Sequence, residues 1–480
     1  MKRQILIIIA VVFLLFMLAF ATVPNDMLDA TDVKDFSDTA KYFAGDYHAS
    51  LRASHSVLYG LMLAPYVALT GNFMLLKLSS AFFFVLLILS VYHLSGRDKR
   101  TLYLFLASPL IWYMAPWVSP VPLATLFILW AFHFQLKFER EEKVKYAMYS
   151  GLLFGLAGAF WATALYLSVI FLLCYYYNKK LRDALLFAVF VIIGFSPAMI
   201  LDQLLFNFAL YSLIKHMSSS LLFALYGGIY QQGYSTGILN RILVILFVPF
   251  SAYLLFNKKM FKENKKTIIF LIASLAFILL NPQIRLVLVI APIVFVLLAN
   301  KLNDRKFKIV LALSVILSLL AIMPYLIQIK YDTNARYLAL AVEQFPNIQI
   351  TNEGRIDLIR ADLNEIEKLH PNEIFLVGNE NDAYRELAHY YWGIGIKEFV
   401  SIEDYLLYQQ NKTTIASKKI SSSANIPSRR EIWFALGIDK SSNFEADYSK
   451  INYAIGFEPD FAAREFKQVR KYGILYLFEK

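Results

Sequence analysis

The chain has 480 residues, 58% of them hydrophobic and 17% charged, with a mean hydropathy of +0.51, which excludes an ordinary soluble globule. Its single cysteine, Cys174, excludes an intrachain disulfide framework and a cysteine-based zinc site. The net charge of +11 would point to nucleic acid in a soluble protein, but its placement points to a membrane and to no nucleic-acid partner.

The basic clusters Lys2 and Arg3, Arg97 to Arg100, Lys137 to Lys145, Lys179 to Arg182, Lys258 to Lys266 and Lys301 to Lys308 fall on alternate connections between apolar runs. By the positive-inside rule these connections are cytoplasmic. The first run, 4–23, is long enough to span a bilayer at about 20 residues. A signal peptide would share its basic start and apolar core, but ATVPNDM offers no A-x-A cleavage pattern and many hydrophobic runs follow. The run is therefore read as the first span, with the N-terminus inside.

Pro24 to Gly60 is the longest polar interruption among the spans. It gathers Asp26, Asp29, Asp32, Asp35, Asp38 and Asp46 with His48, Arg52 and His55 at the outer membrane face. An apolar run, 57–71, comes next. Spans are then expected at 73–94, 102–117, 120–138, 146–160, 163–177, 184–199, 238–256, 267–280, 286–299 and 309–329, for a total of about 11. The transmembrane domain is thus 1–329, with outer loops at 24–72 and 201–237. The second loop mixes apolar runs with Ser, Gly, Gln and Tyr and reads as interfacial helices that either line a substrate groove or simply pack.

From about residue 330 charges of both signs appear regularly and no segment is long enough to span. NIQIT, EIFLVG, KEFVS and GILYLF read as strands, and GRIDLIRADLNEIEKLH as an amphipathic helix. The fold class expected is an α-helical polytopic membrane protein with a small α/β domain, 330–480, outside the cytoplasm. There is no Walker A sequence, no H-E-x-x-H, no G-x-S-x-G and no G-x-G-x-x-G after a strand. Asn411, Lys412 and Thr413 form an acceptor-type sequon.

In DVKDFSDTAKYF the residues Asp32, Phe36, Ala40 and Phe43 recur at helical spacing and would share one helix face. The arrangement resembles the multi-spanning glycosyltransferases of the GT-C class, in which a first helix is followed by an outer loop with an acid, an aromatic residue four further on and an alanine after another four. Asp32, Phe36, Ala40, Gly45 and Arg52 fill those positions here, FSPAMILDQLLFN resembles the end of a mid-chain span in the class, and GLLFGLAGAFWATAL resembles its glycine-rich fifth span. There are departures: Asp32 is followed by Val33 where many relatives have Asp-Glu, and RASHS stands where some have Lys-Pro-Pro. They leave the branch and the acceptor open.

The resemblance implies a donor sugar on a polyprenyl phosphate and a lipid, glycan or protein acceptor. Such a donor has a good leaving group, so transfer needs a carboxylate to take the acceptor proton and cations to stabilise the departing phosphate. Asp32 is the candidate base, with Asp35 or Asp38 orienting the acceptor. If a divalent cation such as Mg or Mn takes part, Asp32 and Asp35 would hold it. Arg52 is the preferred phosphate ligand because guanidinium pairs bidentately with phosphate oxygens, followed by His55, Lys77 and Arg285. Helix capping by Asp32 and headgroup contact by Arg52 are the competing structural roles. A transporter or flippase of lipid-linked saccharides is the alternative function. Nearly charge-free spans with the polar groups crowded at one face favour the enzyme. Lean loops and a Lys- and Ile-rich style point to a prokaryotic plasma membrane.

Overall fold

A computed structural model describes residues 2–21, 36, 39–45, 56–70, 73–114, 118–177, 179–226, 258–278, 284–298, 302–326, 353–371, 373–377, 398–401, 405, 448–456 and 465–480. The expected span 238–256 and the strand NIQIT lie outside the described residues.

The first part is helical: α1 (Lys2–Ala21), α2 (Val57–Thr70), α3 (Phe73–Leu94), α4 (Lys99–Leu106), α5 (Pro109–Met114), α6 (Val121–Glu141), α7 (Val144–Phe160), α8 (Thr163–Tyr176), α9 (Leu181–Phe206) and α10 (Tyr211–Tyr226), then α11 (Lys258–Glu263), α12 (Lys265–Ile278), α13 (Ile284–Val287), α14 (Ala291–Leu298) and α15 (Asp304–Leu326). Among the described residues, α6 and α9 are long and apolar enough to cross a membrane by themselves, and shorter apolar stretches lie in α1, α2, α3 and α8.

Helix α9 runs on to Phe206, well past the expected end at 199. Pro197 lacks the N–H that would reach the Ile193 carbonyl, and the Ser196 hydroxyl donates to that oxygen at 2.7 Å instead. The orphaned acceptor is satisfied and the helix continues, reaching about 39 Å at 1.5 Å per residue.

Two expected spans are broken. The stretch 102–117 divides into α4 and α5 at Ala107 and Ser108, because Pro109 disfavours a helical Ser108 and suits the first position of a new helix. Side chains take the carbonyls released at the break: Leu106 accepts from Trp112 Nε1 at 2.9 Å and Ala107 from Ser318 Oγ at 2.7 Å. The stretch 286–299 divides into α13 and α14 around a turn at 288–290. There Val289 N–H donates to Leu286 O at 3.3 Å and Ile290 N–H to Val287 O at 3.2 Å, and Pro292 falls in the first turn of α14.

Helix α7 packs most extensively on α9 and α6, and glycine makes the α7–α9 approach possible. A Cβ on Gly155 would strike the Val191 carbonyl oxygen and come within 2.8 Å of the Gly194 Cα; one on Gly194 would strike the Leu152 oxygen; one on Gly151 the Phe187 oxygen. Such backbone contact is how helices associate where lipid removes the hydrophobic driving force. Phe154 and Phe171, with ring centroids 4.6 Å apart, fill the layer beside it.

The later part combines α16 (Glu353–Leu369) with β1 (Ile374–Val377), β2 (Glu398–Ser401), β3 (Tyr453–Gly456), β4 (Lys467–Tyr472) and β5 (Leu475–Glu479). The sheet order is β2-β1-β3-β5-β4. Strand β1 is parallel to β2 and β3, whereas β5 is antiparallel to β3 and β4. Leu376, Tyr405, Ile451, Ala454, Phe466 and Phe478 form its apolar core. Gly473, at φ +47°, turns the β4–β5 hairpin, and Asp362 of α16 accepts from the Ile474 N–H at 2.9 Å to hold it.

Candidate active site

The candidate base Asp32, its neighbours Asp35 and Asp38, and the phosphate ligands Arg52 and His55 lie outside the described residues. Lys77 is in the first turns of α3 and Arg285 in α13, with no side-chain position described for either. Among the described residues, no group of three or more His, Cys, Asp or Glu side chains could hold a metal ion. Asp32 and Asp35, the pair named for a cation, stand outside that set.

The described residues that follow the acidic stretch in the sequence pack on the bundle. Phe36, Thr39 and Ala40 are buried, on the helical spacing that the sequence pattern requires. The Phe36 ring meets Tyr59 of α2 edge to face, centroids 4.8 Å apart, in a cluster with Leu63, Leu76, Phe83, Val118 and Leu123. Thr39 crosses directly over Gly60, where any side chain would collide with it. The α2 start is fixed as well: Ser56 Oγ donates to the Ala159 carbonyl at 2.8 Å and accepts from the Tyr59 N–H at 3.2 Å. The loop helix ends at Gly45, whose φ of +105° few other residues adopt.

Its other flank, Tyr42 and Phe43, packs with Val57 on Leu205, Phe206 and Tyr211 at the α9–α10 corner. That corner holds residues the sequence reading did not select. Asp202 is 1% exposed and accepts from the Ser212 N–H at 2.8 Å and the Ser212 hydroxyl at 2.6 Å, so a carboxylate caps the first turn of α10. The α10 helix then presents Lys215, whose ammonium lies 4.5 Å from the Tyr211 ring centre, and His216, whose Nε2 is 3.0 Å from Thr163 Oγ1 at the start of α8. The signal available in the sequence was an acid near the end of an apolar span, Asp202 in FSPAMILDQ; its partner Ser212 carries no motif.

Residues 36 and 39–45, the α2 start, the α7–α8 turn and the α9–α10 corner are therefore joined by named contacts, against a bundle whose helices bury apolar side chains. The chain shares its fold with solved structures of the GT-C class. The structure aligns with ArnT from Cupriavidus metallidurans in its apo state at TM-score 0.61 and 12% identity, over 99% of this chain and 98% of that one. It aligns with the apo oligosaccharyltransferase of Archaeoglobus fulgidus at TM-score 0.50 and 14% identity, over 93% of this chain and 69% of that one. Identities this low carry the fold and nothing finer. No family model matches the sequence, and neither does any curated protein.

Proposed function

We propose that this chain is an integral-membrane glycosyltransferase that moves one sugar from a polyprenyl-phosphate donor to a lipid, glycan or protein acceptor at the extracytoplasmic face of a prokaryotic plasma membrane. The observation that carries the reading is the end-to-end likeness to ArnT. The burial of Phe36, Thr39 and Ala40 on the bundle supports it, since in the sequence Asp32 stands four residues before Phe36, one turn away if that stretch is helical.

In this reading Asp32 takes the proton from the acceptor hydroxyl as that oxygen bonds to the anomeric carbon, and the polyprenyl phosphate leaves with the bonding pair. Arg52, with His55, Lys77 and Arg285, balances the charge on the leaving phosphate. Asp35 or Asp38 orients the acceptor, and a divalent cation, where used, is held by Asp32 and Asp35. Residues 330–480 form an outer domain. The test is transfer of labelled sugar from a panel of polyprenyl-phosphate donors in membranes holding the wild type or Asp32→Asn at matched expression. Loss of transfer by about 100-fold or more, the contribution of a positioned base, with donor binding retained, is the expected result. No transfer from any donor, together with vectorial movement of lipid-linked saccharide in proteoliposomes, would establish the transporter instead.

A further inference from the structure

The surface where α3 and α6 end and α7 begins, on the side the positive-inside rule assigns to the cytoplasm, carries rings and cations with no part in the outer site. His93 stacks on Trp130, centroids 6.0 Å apart, and Trp130 Nε1 donates to Ser90 Oγ at 3.1 Å. The ladder continues through His133 to Phe134, which stacks on Tyr146 at 6.1 Å and meets Tyr149 at 5.3 Å. Trp130 lies eleven residues before the end of α6, about 16 Å along the helix, so the rings run from acyl-chain depth to the headgroup level.

At that level two ammonium groups converge on one ring. Lys137 Nζ lies 5.7 Å and Lys145 Nζ 5.3 Å from the Tyr146 ring centre. Among the described residues neither lysine is within ion-pair distance of a carboxylate, although Glu141, which accepts from the Tyr146 hydroxyl at 3.3 Å, is close enough to feel the Lys137 charge; the nearby Lys143 and Lys179 are paired with Glu141 and Glu142. Arg140, likewise without a carboxylate partner among the described residues, is exposed one helical turn from Lys137. We propose that this α3–α6–α7 surface binds the headgroup of an anionic phospholipid of the cytoplasmic leaflet. Lys137 and Lys145 hold the phosphate, and the Trp130–Phe134–Tyr149 face carries the first acyl chain. Two snorkelling lysines beside an aromatic ring face, neither within ion-pair distance of a carboxylate among the described residues, supply the charge complementarity.

The experiment titrates the delipidated full-length protein with dioleoylphosphatidylglycerol or dioleoylphosphatidylcholine and counts bound lipids by native mass spectrometry. The wild type is expected to prefer the glycerol lipid. The double variant Lys137→Gln, Lys145→Gln is expected to bind it about 30-fold more weakly, the scale for removing two cations from an anionic surface. Lys143→Gln with Lys179→Gln, which removes the same charge from paired lysines, is expected to bind as the wild type does. Equal affinity of the wild type for both lipids overturns the proposal whatever the variants do, as does equal loss in the two double variants.

Discussion

Gly155 and Gly194 touch backbone to backbone, so neither position has room for a methyl group. Gly155→Ala forces α7 and α9 apart and is expected to cost about 1–3 kcal/mol, the usual range for overpacking, read as a lower midpoint in denaturant titration in detergent. The lipid-facing Leu185→Ala, more than half exposed, provides the contrast and should leave the midpoint nearly unchanged. Asp202 is a different case, a buried carboxylate whose visible work is to accept two hydrogen bonds from Ser212. Asp202→Ala leaves both donors without an acceptor, and hydrogen exchange at the Ser212 amide is expected to accelerate by about 5-fold, as for loss of a cap worth roughly 1 kcal/mol. Unchanged exchange there would mean that another group caps α10.

Most helices were legible from hydropathy alone, and α3 begins and ends at Phe73 and Leu94 as the pattern predicts. Hydropathy reports only how long an apolar run is. It misses the divisions at Ser108 and at 288–290, where the residues stay apolar while the backbone turns, and it stops α9 at 199 although Ser196 carries the helix through Pro197. Among the strands, β1, β2 and β5 were visible as apolar runs. By contrast β4 is KQVRKY, a polar strand at the sheet edge, where charge guards against further pairing, and β3 is four residues inside a mixed stretch. The site divides in the same way. The Phe36 and Ala40 positions were readable from spacing, whereas the Asp202–Ser212 cap joins residues ten apart across a helix corner, which no periodicity announces.

At the scale of the whole molecule, the helical and sheet-bearing parts answer to different solvents. In the sheet-bearing part burial raises the Asp362 carboxyl above the usual carboxylate range, against the lowering effect of the N–H groups of Ile474 and Leu475. The folded state thus holds this proton more tightly than the unfolded chain. Its contribution is fully present below the ordinary carboxylate pKa of about 3.9 and is lost as pH rises through the folded value. The stability of the wild type relative to Asp362→Asn is therefore expected to fall as pH rises from about 3.5 to 6, followed by thermal unfolding of the full chain. A flat difference across that range would place the Asp362 proton outside the folding balance.

The division of α4 from α5 also bears on how the chain enters the membrane during synthesis. Eight and six residues are each far too short to be recognised by the insertion machinery as spans, which need about 20. The stretch must therefore be handed to the lipid as one continuous unit and bend afterwards. The hydroxyl that donates to the Ala107 carbonyl belongs to Ser318, 211 positions later. Trp112 serves the Leu106 carbonyl locally, but until α15 has been synthesised and docked the Ala107 carbonyl lacks its partner, so the early bundle waits, unfinished, on about two thirds of its own translation.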